Sequence, residues 1–213
     1  MSAMPNTSCQ LYLISPTDVG GDFPEQLKLA LEAGPVAAFQ FRVKDVSQHE
    51  AALLAKPLQE ICDAHDVAFV VNDDVALAKS LDADGVHLGQ SDEELAVARQ
   101  ELGMDVQIGI TCHDSRHLAM EAGEGGANYV AFGAFFPTTT KETHHRPELE
   151  ILQWWSAIME IPCVAIGGIT PDNCKPLVEA GADFLAVSGS VWNCPGGPAQ
   201  AVRQFNELLQ SAE

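Results

Sequence analysis

Eight times along this chain a short apolar run is followed by an amphipathic stretch, and that alternation restricts the fold more than any other feature. The unit from Ala68 to Asp92 shows it best. Ala68 to Val71 is apolar without interruption, as a strand buried on both faces must be. From Asp74 to Leu81 the apolar residues Leu77, Ala78 and Leu81 fall at the spacing of one helix face. Gly85 to Leu88 is the next short strand. Parallel strands joined by a helix bring their C-terminal ends to the same side of a sheet. Asn72, Asp73 and Asp92, just past these two strands, therefore emerge together where α/β folds carry their sites.

The same reading predicts strands over Gln10 to Ser15, Ala37 to Arg42, Gln107 to Thr111, Tyr129 to Phe132, Cys163 to Ile166 and Phe184 to Ser188. Helices are predicted over Glu25 to Glu32, Asp92 to Leu102, Ser115 to Ala122, Glu148 to Ile158, Pro171 to Ala180 and from Pro198 onward. Ser47 with Glu50 three residues later is a capping box. It opens a helix with Leu54, Leu58, Ile61 and Cys62 on one face and Pro57 inside, which is expected to bend it. Thr170 is a candidate cap ahead of Pro171. Gly133 to Pro147 is left as a long loop and a candidate lid.

Eight strands alternating with eight helices in 213 residues predict a single-domain (β/α)₈ TIM barrel, α/β in class. A doubly wound open sheet is the alternative. The barrel is favoured because the punctuation ahead of strands recurs, at Asp82-Ala83-Asp84-Gly85, Gly126-Ala127-Asn128 and Gly181-Ala182-Asp183, and because no Gly-x-Gly-x-x-Gly follows the first strand.

The formal charge is −19, from 11 basic and 30 acidic side chains, which disfavours nucleic acid and anionic membranes as partners. No apolar run approaches the roughly 20 residues of a membrane span. Met1 to Gln10 has neither a basic residue nor an apolar core, so no secretory signal is read there and a cytoplasmic protein is expected. The six cysteines form no Cys-x-x-Cys pair and are read as buried, reduced thiols, Cys112 alone standing at a strand end. The oligomeric state is left open, a homo-oligomer included.

In a barrel the residues at the C-terminal strand ends share one cavity. Gln40, Arg42 and Lys44 alternate out of the second strand. The third gives Asn72 and Asp73, the fourth His87, Gln90 and Asp92, the fifth Thr111 and His113. The sixth leads into Phe136-Pro137-Thr138-Thr139-Thr140-Lys141, the seventh into Gly167-Gly168, the eighth into Ser188-Gly189-Ser190. On so acidic a chain, Arg42, Lys44 and Lys141 at one rim point to an anionic ligand. Asp73 and Asp92 suit Mg²⁺, which would bridge carboxylate and phosphate oxygens. The two glycine-containing turns suit a phosphate held by backbone N–H groups. Other readings stand beside these. Asp74 reads as a helix cap, and Asp92 as ligand or cap. Lys141 is a phosphate contact, a surface lysine or a Schiff-base lysine. His87 reads as structural, His113 as acid–base or structural, His144-His145 as an exposed loop pair, and Trp154-Trp155 as helix packing.

Gln40-Phe-Arg42-Val-Lys44-Asp45, Val71-Asn72-Asp73-Asp74, Ala83 to Asp92, Ile108-Gly-Ile-Thr-Cys-His113, Phe136 to Lys141 and Val164 to Asn173, in this order, resemble the thiamine phosphate synthase family. The resemblance implies a (β/α)₈ barrel. It implies a transferase that joins hydroxymethylpyrimidine diphosphate to thiazole phosphate with Mg²⁺ and releases pyrophosphate. It would give Gln40, Arg42, Lys44 and Asn72 to the pyrimidine diphosphate, with Thr111 and Lys141 on its diphosphate. Asp73 and Asp92 would hold Mg²⁺. Thr138, Thr140, Gly168 and the turn at Ser188 and Gly189 would hold thiazole phosphate. Two departures concern these residues: Gly189 stands where the family usually has serine, and Thr111 replaces a usual serine. After Lys141 the family tends to carry Pro-x-Gly-Leu, where this chain has Pro147-Glu148-Leu149. Competing readings are a thiazole tautomerase of the same fold using His113, a catalytically silent phosphate-binding paralogue, and a Schiff-base aldolase using Lys141.

Overall fold

A computed structural model describes residues 9–138 and 145–211. Strands β1 (Gln10–Ile14), β2 (Ala38–Phe41), β3 (Ala68–Asn72), β4 (Gly85–Leu88), β5 (Gln107–His113), β6 (Tyr129–Gly133), β7 (Cys163–Ile166) and β8 (Phe184–Val187) pair in parallel in chain order. β8 returns to pair with β1, so the sheet closes into the expected barrel. The helices outside it are α1 (Phe23–Leu31), α2 (Gln48–Asp63), α3 (Val75–Leu81), α4 (Leu95–Leu102), α5 (Arg116–Glu124), α6 (Glu150–Ile158), α7 (Lys175–Glu179), α8 (Gly189–Trp192) and α9 (Pro198–Ser211). No helix among the described residues is long and apolar enough to cross a membrane.

Side chains alternate across the wall with period two. Leu11, Leu13, Phe39, Phe41, Phe69, Val71, Val86, Leu88, Val130 and Phe132 point outward into one large core under the helices. Tyr12, Ile14, Val70, Ala131, Val164 and Ala186 form a second, smaller core, the barrel lumen. The apolar runs read as uniform strands thus hide two populations, bulky outside and mostly small within. Gly109 of β5 shows why the small ones matter: a Cβ there would collide with the Tyr129 ring. The bare backbone lets that ring reach across the lumen.

The punctuation ahead of alternate strands has a physical role. Asp84 accepts a hydrogen bond from Phe69 N (2.7 Å), Asn128 from Ile108 N (2.8 Å) and Asp183 from Cys163 N (2.8 Å). The residue before β4, β6 or β8 therefore secures the first amides of the preceding strand, which the ladder leaves unpaired at this N-terminal end. Arg99 of α4 completes the clamp, donating to Asn128 Oδ1 (2.6 Å) and to the carbonyls of Gly103 (2.9 Å), Val106 (2.7 Å) and Gly126 (3.1 Å).

Several local expectations hold and others shift. Ser47 and Glu50 form the capping box, and Asp74 caps α3 through Leu77 N at 2.7 Å. α2 runs unbroken through Pro57, whose missing N–H orphans the carbonyl of Leu53. Leu53 is 64 % exposed, so water can serve that carbonyl. α4 begins at Leu95 rather than Asp92, because Asp92 Oδ2 instead accepts from Gly89 N (2.6 Å) and closes the turn after β4. α7 begins at Lys175, and Thr170 is not its cap. Asn173 Oδ1 accepts from Thr170 N (2.8 Å) and holds residues 170–173 in a turn. α5 continues past Gly123 to Glu124, and the short α8 was not expected. All six cysteines are free and five are buried. Cys112 faces the outer core, and burial pushes its thiol up to about 12.

Candidate active site

A cavity of about 640 Å³ opens at the C-terminal ends of the strands. It gathers Gln40, Arg42, Lys44, Asn72, Asp73, Thr111, Thr138, Gly168, Ser188 and Gly189, drawn from segments far apart in the chain. Asp92 sits in the turn after β4, partly buried, and is not among the lining residues. Thr140 and Lys141 lie outside the described residues, as does His144.

Arg42 follows β2 directly and is only 8 % exposed. Its backbone is pinned by the fully buried Ser15: Arg42 N donates to Ser15 Oγ (2.9 Å), and Ser15 Oγ donates to Arg42 O (3.1 Å). The guanidinium is less well served. Its Nη1 is buried and has no hydrogen-bond partner among the described residues. A buried cationic donor left this way is costly unless an anion completes it. Ser190 Oγ, after β8 and lining the same cavity, is also buried without a partner.

The backbone around the cavity is held in unusual conformations. Asp45, Asp73 and His113 are non-glycine residues in the left-handed region, with φ of 58°, 66° and 54°. Such strain of about 1–3 kcal/mol per residue gathers at functional sites. Asp73 is fixed by its amide donating to His87 O (2.8 Å) across β3 and β4. Gly167 and Gly168 also have positive φ, and a Cβ on either would strike the β6 loop at Ala134 or at Phe136 and Pro137. Glycine at both positions lets that loop, with Thr138 at its described end, lie against the β7 turn.

Among the described residues no three His, Cys, Asp or Glu side chains converge as a metal cage. Two carboxylates on adjacent strand ends are nonetheless the donor set that suits Mg²⁺, which takes one or two carboxylates and completes its shell with water and phosphate oxygens. Asp92 has Oδ2 engaged by Gly89 N, which orients the carboxylate. By the chemistry of their side chains Asp73 and Asp92 would suit such an ion once a phosphorylated ligand is present.

Below the cavity runs a polar line that the sequence reading did not single out. Gln40 Nε2 donates to Tyr12 OH (3.0 Å), and Tyr12 OH meets Tyr129 OH (3.0 Å). Tyr129 OH meets His87 Nδ1 (3.0 Å), and His87 Nε2 meets Thr111 Oγ1 (2.8 Å). Burial pushes Tyr12 up to about 12 and raises Tyr129 well above 10, so both phenols stay protonated. The structural reading of His87 is half the answer, because its ring also reaches a cavity residue. At the mouth, His145 is no idle loop residue. Its ring stacks on His113 (centroids 4.3 Å, 21° apart), and its Nδ1 meets Asp114 Oδ1 at 2.8 Å. Burial alone would raise Asp114, but the His145 hydrogen bond and charge outweigh it and hold the carboxyl below its usual range. Period-two alternation through Tyr12 and Tyr129 would have flagged the two tyrosines as inward-facing; no local signal marks His145.

The family profile described as Thiamine monophosphate synthase matches residues 11–191. The thiamine-phosphate synthase of Erythrobacter litoralis is 66% identical over 207 residues, covering 95% of this chain and 96% of that protein. That of Rhodospirillum centenum is 52% identical, covering 96% of this chain and 99% of its own length. Among solved structures, the thiamine phosphate pyrophosphorylase from Pyrococcus furiosus superposes with a TM-score of 0.86 at 30% identity, covering 97% of this chain and 98% of that one.

Proposed function

The chain belongs to the thiamine monophosphate synthase family and is a transferase that makes thiamine phosphate, and we propose that it does so by joining hydroxymethylpyrimidine diphosphate to thiazole phosphate with release of pyrophosphate. In this reading the bond from the pyrimidine methylene carbon to the diphosphate oxygen breaks, and its electron pair leaves with the diphosphate. The thiazole nitrogen supplies the pair for the new bond to carbon. No protein nucleophile is needed.

One observation carries the assignment: the unpartnered, buried Arg42 Nη1 in the cavity wall. Arg42 and Lys44 would bind the diphosphate and stabilise the charge that grows on it as it departs, with Lys141 joining them. Gln40 and Asn72 would orient the pyrimidine, and Thr111 would donate to the diphosphate. Asp73 and Asp92 would hold Mg²⁺, which when bound supplies further neutralisation of the leaving group. Thr138, Thr140, Gly168, Ser188 and Gly189 would seat thiazole phosphate, helped by the hydroxyl of Ser190. A tautomerase moving one proton would need neither the paired carboxylates nor the buried guanidinium, so these features favour the synthase. Charged substrates of this kind fit a cytoplasmic enzyme.

The test is direct. Purified protein mixed with both substrates and Mg²⁺ should yield thiamine phosphate by mass spectrometry, and EDTA should abolish it. Asp92→Asn should lower turnover by about 10²-fold, as expected for losing one ligand of a charge-neutralising ion. Folded protein that binds both substrates yet forms no product would overturn the reading.

A further inference from the structure

The line Gln40–Tyr12–Tyr129–His87–Thr111 has both ends at the cavity and its middle buried in the lumen. Its donors and acceptors can be counted. Gln40 Nε2 can only donate, so Tyr12 OH accepts from it and must send its own proton to Tyr129 OH. Tyr129 in turn donates to His87 Nδ1. An imidazole accepting at Nδ1 carries its proton on Nε2, which donates to Thr111 Oγ1. The hydroxyl of Thr111 then has its proton left over, with no acceptor among the described residues.

We propose that these residues form a polarised hydrogen-bond chain that sets the His87 tautomer and holds Thr111 as a donor to the phosphate of the ligand, with Tyr12, Tyr129 and His87 as positioning residues. Turning the Gln40 amide over would reverse every link and make Thr111 an acceptor, so the two ends of the cavity are coupled through the lumen. The ring of Tyr129 is locked for this task. It stacks on His87 (centroids 5.6 Å, 25°), packs edge-on against Tyr12 (6.1 Å, 69°), and lies over Gly109 where no Cβ could fit. Both phenols are kept neutral by burial, as a chain of donors requires. The identity of the phosphate ligand rests on the function proposed above; the direction of the chain does not.

Nitrogen-15 NMR of the histidines in the full-length protein reads the direction, with His87→Gln assigning the signal. The expected result is His87 neutral, protonated at Nε2; a proton resident on Nδ1 overturns the proposal. Tyr129→Phe removes one hydroxyl and keeps the ring. It should lower the unfolding temperature by only a few degrees, mix the His87 tautomers, and weaken inorganic pyrophosphate with Mg²⁺, measured by calorimetry, by up to about tenfold, the size of one hydrogen bond. Thr111→Ser should keep the wild-type affinity, and Thr111→Val should cost less in the Tyr129→Phe background than in the wild type. Unchanged pyrophosphate affinity in Tyr129→Phe would also overturn it. If wild type makes no thiamine phosphate, the functional reading falls, while the tautomer and pyrophosphate results still decide this one.

Discussion

The two ends of the barrel treat polar groups in opposite ways. At the N-terminal end, Asp84, Asn128 and Asp183 each meet a strand amide, and Arg99 donates to four oxygens, leaving only its Nε without a partner. At the C-terminal end, Arg42 Nη1 and Ser190 Oγ are buried and unsatisfied, and both line the cavity. Both ends are made of the same parallel wall. The closed end, Arg99 Nε apart, satisfies its own hydrogen-bonding groups and so contributes to stability. The open end leaves them for something that arrives. Substitutions at the two ends should therefore move different observables.

Arg42→Gln should show the largest effect. Removing one charged donor to the departing diphosphate should lower kcat/KM for the pyrimidine diphosphate by about 10³-fold. The unfolding temperature without ligand should hold or rise, since a poorly served buried charge is gone. A variant that loses stability and keeps activity would reverse the comparison. Arg99→Ala should do the opposite. It orphans several carbonyls and should cost about 3 kcal/mol in denaturant unfolding, with kcat unchanged. A fall in kcat at undiminished stability would show that the closed end reaches the chemistry.

The barrel and the gathering of Gln40, Arg42, Asn72, Asp73 and Thr111 were legible because alternation of apolar runs and strand-end position are local signals. The repeated Asp and Asn ahead of strands was visible too, but its partner lies on the preceding strand, so its purpose was not. The same limit hid the Tyr129 line. That ring crosses the lumen only because Gly109, 20 positions earlier, has no side chain. Asp92 and Thr170 misled in a different way. Both look like helix caps, yet Asp92 closes a turn onto Gly89, and Asn173 serves Thr170 in place of a cap. Short polar side chains have several nearby amides to choose from, and tertiary packing chooses.

The closed end should also contribute to weakness in alkali. Burial pushes the thiols of Cys9 and Cys163 from the ordinary 9.0 up to about 12, with the Asp183 carboxylate adding to both. The unfolded chain releases these protons first. Stability is therefore complete below pH 9 and falls as pH rises toward 12, by roughly 1.4 kcal/mol per pH unit for each thiol. Chemical denaturation from pH 8 to 11 checks the slope. Cys9→Ala with Cys163→Ala should reduce it, the remainder coming from Cys62, Cys112 and the buried tyrosines, and an unchanged slope would mean the two thiols are not sealed from water.

The smallest effect is the sharpest test of the contrast. Ser190 Oγ is buried without a partner, an arrangement that costs about 1–3 kcal/mol when nothing binds. Ser190→Ala should therefore raise the stability of the ligand-free protein by up to about 1 kcal/mol. If the hydroxyl awaits the thiazole phosphate, the same variant should bind that ligand a few-fold more weakly, so that added ligand narrows or inverts the difference in unfolding temperature. A serine that only fills space would give neither change. One that is already hydrogen-bonded would give the loss of stability expected at Asp84 or Asp183. Gain without ligand and loss with it is the behaviour that only an end built for an incoming anion can show.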